Sequence, residues 1–344
     1  MPFDSNQLDS PLALSMGDPA GIGPDITLQA WADRASNAIP SFVVAGDPKL
    51  FAERARILEL DVPIEQVDST INVHDLFARA LPIFPLHLPM QIKPGAPDAA
   101  CADAIITAID RCVDWVRQGN ARAVVTNPIN KKLLSTAGFE HPGHTDYLAE
   151  LCATSDATPH PVMLLACGDL RVVPASVHIP LKDVPGALTQ ELIVETVEIT
   201  VRDLRVSFGI STPRIAVTGL NPHAGEDGTL GREEIETIAP AIETLKAKGY
   251  DVKGPFSADA VFQERMRNQY DAIIAMYHDQ ALIPVKTLAF DKAVNVTLGL
   301  PIIRTSPDHG TAYELAGTGR ANPGSLIESL KLAAIMAAHR MAAA

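Results

Sequence analysis

Short apolar runs alternate along the chain with longer stretches in which apolar side chains recur every three or four positions. The runs Leu12–Met16, Phe42–Ala45, Ala123–Thr126, Val162–Ala166, Val172–Val177, Ile215–Thr218 and Ala272–Met276 are rich in Val, Ile, Leu and Ala. They end at Gly, Pro, Asn or His, as strands buried on both faces do. Helix boundaries are readable between them. Asp47 is an N-cap with Pro48 at the first helical position. Asp98 caps a helix that reaches about Gln118 and stops at Gly119. Thr189 opens a helix ending near Gly209, Gly231–Lys248 forms another closed by Gly249, and Ser325 begins a terminal one. The alternation predicts an α/β protein with parallel strands and helical crossovers. The Pro-rich stretch Leu81–Pro97 reads as an irregular loop or linker. A chain of 344 residues suits two α/β lobes. Composition shows no boundary between them.

Charge narrows the partners. With 41 Asp and Glu against 28 Lys and Arg, the formal net charge is -13. Nucleic acid and anionic membrane surfaces are repelled, so neither is expected as a partner; a small anion in a local basic pocket is compatible with this charge. Cys101, Cys112, Cys152 and Cys167 show no metal-type spacing and read as reduced thiols. Met1–Ser10 lacks the apolar core of a signal peptide, and no stretch has the length of a membrane span. A cytoplasmic protein is expected.

Candidate chemistry gathers where strands end. His178, His223 and His278 each follow an apolar run almost at once. Ligands of open α/β sheets bind beyond the carboxyl ends of the strands, so three imidazoles can converge there on one metal ion. The competing reading is that each imidazole simply bonds a nearby carbonyl. Gly143-His144-Thr145 opens the helix Thr145–Cys152, whose free amides can hold an anion or merely receive a Thr cap. Lys286, Asn295 and Arg304 lie in Ala281–Ser306, a stretch poor in charge. Cations in such a setting need an anionic partner, either a substrate phosphate or internal Asp279 and Asp291. Gly17-Asp18-Pro19-Ala20-Gly21-Ile22-Gly23-Pro24 is a weak dinucleotide fingerprint, read as a tight turn with Asp18 available as a polar contact. A second Gly-rich loop runs from Gly310 to Pro323.

Six motifs carry a resemblance over nearly the whole chain. They are Gly17–Pro24, Thr126-Asn127-Pro128, His141-Pro142-Gly143-His144-Thr145, Leu220-Asn221-Pro222-His223-Ala224-Gly225-Glu226, Met276-Tyr277-His278-Asp279-Gln280 and Asn295-Val296-Thr297-Leu298-Gly299-Leu300-Pro301. The chain resembles the 4-hydroxythreonine-4-phosphate dehydrogenase family of pyridoxal phosphate biosynthesis. The resemblance implies the isocitrate and isopropylmalate dehydrogenase fold, two α/β lobes with a cleft between them. The first lobe would comprise residues 1–140 and 305–344, the second 141–304. It implies metal ligands His178, His223 and His278, and substrate ligands His144, Thr145, Lys286, Asn295 and Arg304. One divalent metal is implied, zinc first, with cobalt or magnesium as alternatives. NAD, or NADP, would lie on a loop containing Gly310, Thr311, Ala312, Gly317, Gly319 and Asn322. Asp259 is the candidate base. Family members are homodimers with shared active sites, so His178 of one chain is expected to meet His223 and His278 of the other. The implied reaction is NAD-dependent oxidation of 4-phosphohydroxy-L-threonine, with decarboxylation to 3-amino-2-oxopropyl phosphate. A sister enzyme of 4-phospho-D-threonate or D-erythronate 4-phosphate is the alternative, and a metal-dependent hydrolase or lyase a remoter one.

Overall fold

The computed structural model describes residues 10–141, 143–155 and 157–343. Most of the expected non-signal segment, Met1–Asp9, lies outside the described residues, as does Pro142 of the third motif. In chain order the strands are β1 (Leu12–Ser15), β2 (Phe42–Gly46), β3 (Ile64–Gln66), β4 (Leu81–Pro85), β5 (Val124–Thr126), β6 (Val162–Cys167), β7 (Leu170–Pro174), β8 (Arg214–Thr218), β9 (Asp251–Phe256), β10 (Ala272–Ala275), β11 (Val294–Leu298) and β12 (Arg304–Pro307). The chain divides into two compact units, one comprising the residues up to Pro161 with Leu300–Ala342, the other Val162–Gly299.

In the first unit the strands run β3-β4-β2-β1-β5-β12, all parallel, with Leu12 opposite Phe42 and Arg304 opposite Val124. The central strands are apolar throughout because helices cover both faces: Leu12, Ala13, Leu14 and Phe42–Ala45 are fully buried. The helix Ala102–Arg117 buries Ile105, Ala108, Ile109, Cys112 and Val113, one stripe at helical spacing, and packs on β1. Asp47 caps the helix Pro48–Ile57 as expected: its Oδ1 accepts from Lys49 N at 2.8 Å.

In the second unit the order is β11-β6-β7-β10-β8-β9. Strands β7, β10, β8 and β9 are parallel, whereas β6 pairs antiparallel with both β11 and β7. This departs from the all-parallel expectation. Only Gly168 and Asp169 separate β6 from β7, too short for a crossover, and Gly168 takes the left-handed φ of 55° that such a turn uses.

Other departures have local causes. Strand β4 arises inside the Pro-rich stretch read as a linker. The expected helix Gly231–Lys248 is a π-turn, Glu234–Ile238, followed by an α-helix, Ala239–Ala247. Pro240 has no N–H to offer the Glu236 carbonyl, which accepts instead from Gln190 Nε2 at 3.3 Å. The division between units falls at 161/162 and 299/300, not 140/141 and 304/305. The helix His144–Leu151 packs on Ala102–Arg117, with the Tyr147 hydroxyl donating to Asp110, and β12 pairs with β5. His144, Thr145 and Arg304 therefore belong to the first unit.

Candidate functional site

In the second unit, β7, β10 and β8 are neighbours, and the three strand-end histidines follow them: His178 after β7, His278 after β10, His223 after β8. Ala175 N donates to Ala275 O at 2.7 Å, and Ser176 donates from its Oγ to Met276 O at 2.7 Å. These bonds hold the two exits together, and the rings of His178 and His278 stand 5.6 Å apart between centroids. They share a pocket of about 210 Å³ with Val177, Leu181, Tyr277 and Asp279. His278 Nδ1 lies 2.7 Å from Asp279 Oδ1, which orients the ring as a carboxylate behind a metal-bound imidazole does.

His223 sits on unusual backbone. Residues 223–227 all have positive φ, and only Gly225 among them is a glycine. The turn is held from outside. Buried Glu234 accepts from Leu220 N at 2.8 Å and Asn221 N at 2.7 Å, and its second oxygen accepts from Asn221 Nδ2 at 2.9 Å. Gln280 ties the ends of β8 and β10 together. Its Oε1 accepts from Thr218 Oγ1 at 2.8 Å and Met276 N at 2.6 Å, and its Nε2 donates to Gly219 O at 2.9 Å. Glu234 and Gln280 were not singled out as functional from sequence, although Gln280 closes one of the six motifs.

Two neighbouring imidazoles, one of them oriented by a carboxylate, fit a divalent ion of the zinc type. The chain by itself brings His178 and His278 together, whereas the expectation grouped His223 with His278. No group of three metal-binding side chains forms among the described residues. Asp259 is exposed and lies within electrostatic reach of His223. The Ser257 hydroxyl donates to it and, with smaller contributions that include His223, holds its carboxyl below the usual range. Lys286 lies on the helix His278–Ala289 with its ammonium 5.9 Å from the Phe290 ring centroid. Asn295 is on β11, its Oδ1 buried without a hydrogen-bond partner.

The first unit holds the other candidates. Arg304, at the start of β12, is 3% exposed and donates from Nη2 to Thr126 Oγ1 at 2.7 Å. Burial pulls its guanidinium down to about 10. His144 and half-buried Thr145 open the helix His144–Leu151, and extended Gly143 brings no side chain to cap it. Burial, then the charges of Arg304 and Lys131, hold the His144 imidazole well below its ordinary value, so it is neutral. Its Nε2 is buried without a partner.

The Gly-rich loop rests on the turn after β1. Gly17 has φ 72°, and a Cβ there would lie 2.6 Å from that of Asn127, so only glycine fits. Asp18 is 1% exposed and binds protein groups: Oδ1 accepts from Ala20 N at 3.0 Å and Oδ2 from the Tyr313 hydroxyl at 2.5 Å. Burial raises its pKa, against those bonds. Thr311 O accepts from Ile22 N at 2.9 Å, and Gly317 N donates to Asp25 Oδ1 at 2.6 Å. Asp25 forms a buried ion pair with Arg54, which also donates to Gly21 O and Pro19 O at 3.0 Å each. Ala312, Gly317 and Gly319 take left-handed φ of 40°, 72° and 73°. Gly310 has open space where a side chain would be, and Asn322 Oδ1 caps the terminal helix by accepting from Gly324 N at 2.9 Å. Arg54, Asp25 and Tyr313 escaped the sequence reading because nothing local marks them. Their partners lie 29 to 295 residues away.

Comparison with known proteins gives consistent matches. The family model described as "Pyridoxal phosphate biosynthetic protein PdxA" matches residues 38–333. The 4-hydroxythreonine-4-phosphate dehydrogenase of Bradyrhizobium diazoefficiens is 52% identical over 341 residues, 97% of this chain and 99% of that protein. That of Methylorubrum populi is 52% identical over 328 residues, 94% of each chain. Among solved structures, 4-hydroxythreonine-4-phosphate dehydrogenase from Klebsiella pneumoniae superposes with a TM-score of 0.84 at 37% identity, covering 95% of this chain and 98% of that one.

Proposed function

From the premise that the chain belongs to the PdxA family of pyridoxal phosphate biosynthetic proteins, we propose that it is an NAD-dependent, metal-requiring dehydrogenase of 4-phosphohydroxy-L-threonine. One observation carries this reading: every candidate ligand, from His144 to Asn322, lies within the matched residues 38–333. His178, His223 and His278 would hold the metal, with a second copy of the chain completing the set. A divalent ion bound there supplies Lewis acidity that favours loss of the substrate's hydroxyl proton and later of its carboxylate as CO2. Gly310, Thr311, Ala312, Gly317, Gly319 and Asn322 would hold NAD, which would supply the hydride acceptor.

The protein's own groups do the rest. Arg304, kept cationic although buried, offers a fork to two phosphate oxygens, which an ammonium cannot match. Neutral His144 can donate one hydrogen bond to the same anion without adding charge. Thr145 adds a hydroxyl and a first-turn amide, and Lys286 and Asn295 would be further substrate ligands. Asp279 holds the His278 ring in one orientation. Asp259, kept ionised, is available to receive the hydroxyl proton, although its low affinity for protons makes it a weak base.

The test is formation of NADH by the purified protein with 4-phosphohydroxy-L-threonine and added divalent metal. Turnover is expected, with loss on chelation and recovery with zinc, cobalt or magnesium. Turnover confined to 4-phospho-D-threonate or D-erythronate 4-phosphate would overturn the substrate assignment. Full activity in demonstrably metal-free protein would overturn the metal.

A further inference from the structure

Three features of the first unit converge on one small region that the sequence motifs define only in part. The first is the opening turn of the helix His144–Leu151, where Gly143 provides no cap. First-turn amides that no cap satisfies, at the positive end of the helix dipole, attract negative charge. The second is His144 Nε2, a buried ring nitrogen without a hydrogen-bond partner. A buried polar atom of this kind costs free energy unless a ligand satisfies it. The third is a cation outside every motif. Lys131 opens the helix Lys131–Thr136, and its side chain folds over Gly143: a Cβ built there would lie 2.7 Å from Lys131 Nζ and 2.9 Å from Cε. Arg304 and Lys131 are the two charges that act on His144. Two cations that both bear on one neutral imidazole make its surroundings attractive to an anion.

The placement of Lys131 is itself built. Asn130 caps the short helix, its Oδ1 accepting from Leu133 N at 3.1 Å, and donates from Nδ2 to the Tyr313 hydroxyl at 3.0 Å. Asp18 N donates to Pro128 O at 2.9 Å, which fixes the segment leading into it. The ammonium is thus delivered to the amino end of the next helix from a pinned backbone.

We propose that Lys131 is a further ligand of the substrate's phosphate, acting beside Arg304 and the amides that begin the helix His144–Leu151. The inference rests on the reading that this region receives a phosphorylated substrate. Lys131 supplies a mobile point charge where Arg304 supplies a rigid fork, and the two together match a dianion better than either alone.

Two measurements on Lys131→Met test it. With 4-phosphohydroxy-L-threonine, KM should rise at least about tenfold, with kcat and the KM for NAD within about twofold of the parent. Inorganic phosphate, measured by calorimetry on the same holoenzyme, should bind at least about tenfold more weakly, which the arithmetic of affinity equates with about 1.4 kcal/mol. Lys131→Arg should keep most of both, and Lys131→Gln, polar but uncharged, should repeat the Met result should the apolar Met side chain disturb folding. A merely structural lysine would lower the melting temperature and leave KM and phosphate affinity unchanged, and that outcome overturns the proposal. If the parent binds phosphate but turns over no phosphorylated substrate, the functional reading fails while the role of Lys131 as an anion ligand is still decided by calorimetry.

Discussion

Arg304 shows what a single side chain can be asked to do. It is nearly enclosed, bonded to Thr126, and held by burial at about 10, so it stays charged at neutral pH. If it forks a substrate phosphate, Arg304→Ala should weaken substrate binding by about 2–5 kcal/mol, with NAD affinity unchanged and Arg304→Lys recovering only part. Steady-state kinetics and a melting curve on one variant separate this from a structural role, which would lower the melting temperature alone. His144 makes a second prediction, about pH. Its folded proton affinity is depressed, so the unfolded chain takes up a proton below about pH 6.5 while the folded chain does not. The stability tied to His144 is therefore present above that value and lost as pH falls. His144→Gln should remove this increment, so the difference between parent and variant in urea midpoint should shift against the parent on going from about pH 8 to about pH 5.5. An unchanged difference would show that the ring takes up its proton alike in the folded and unfolded chains.

Elements matter here through the bonds that join their ends. Gln280 belongs to the helix His278–Ala289, yet its amide serves the exits of β8 and β10. Gln280→Ala strands Met276 N and Gly219 O, at a cost of about 1–3 kcal/mol for each buried group left unmet. It should also loosen the spacing of the exits that carry His223 and His278. Reduced metal affinity together with a fall in melting temperature is expected, and unaltered metal binding would show that the exits hold their places without it. The Gly-rich loop depends likewise on the Asp25–Arg54 pair buried beneath it. Asp25→Ala should destabilise the protein by about 3–5 kcal/mol, because an uncompensated buried guanidinium remains. Denaturant titration measures it; a loss below 1 kcal/mol, within the range of an exposed pair, would contradict the burial.

At the scale of the molecule, the division of the histidines between copies of the chain can be read by complementation. His178 and His278 stand together in one chain, with no third ligand beside them among the described residues. If a site combines His178 and His278 of one chain with His223 from a partner, His178→Ala and His223→Ala refolded together should regain activity. If it takes His178 from one chain and His223 with His278 from the other, the mixture of His178→Ala with His278→Ala recovers as well, and that second recovery separates the two arrangements. No recovery in either mixture would place all three ligands on one chain. Among the described residues no helix is long and apolar enough to cross a membrane.

The chain's own pattern determined the central strands and most helix ends, because those depend on residues within a few positions: an apolar run of four or five, an Asp before a Pro, a Gly after the last turn. Strands β1, β2, β5, β6, β7, β8 and β10 fall where the apolar runs lie. Strands β3, β4, β9, β11 and β12 were missed because they are short, polar or rich in proline, and they become strands only by pairing with a neighbour that is already ordered. The candidate histidines were legible because each ends an apolar run. Their grouping was not, since it depends on strand order, which places β10 between β7 and β8 although it follows both in sequence. Lys131 and Arg54 lay beyond sequence reasoning for the same reason. A charge acquires its meaning from what folding sets against it, here Gly143 and His144 in one case and Asp25 in the other, and side-chain packing across distant segments decides that.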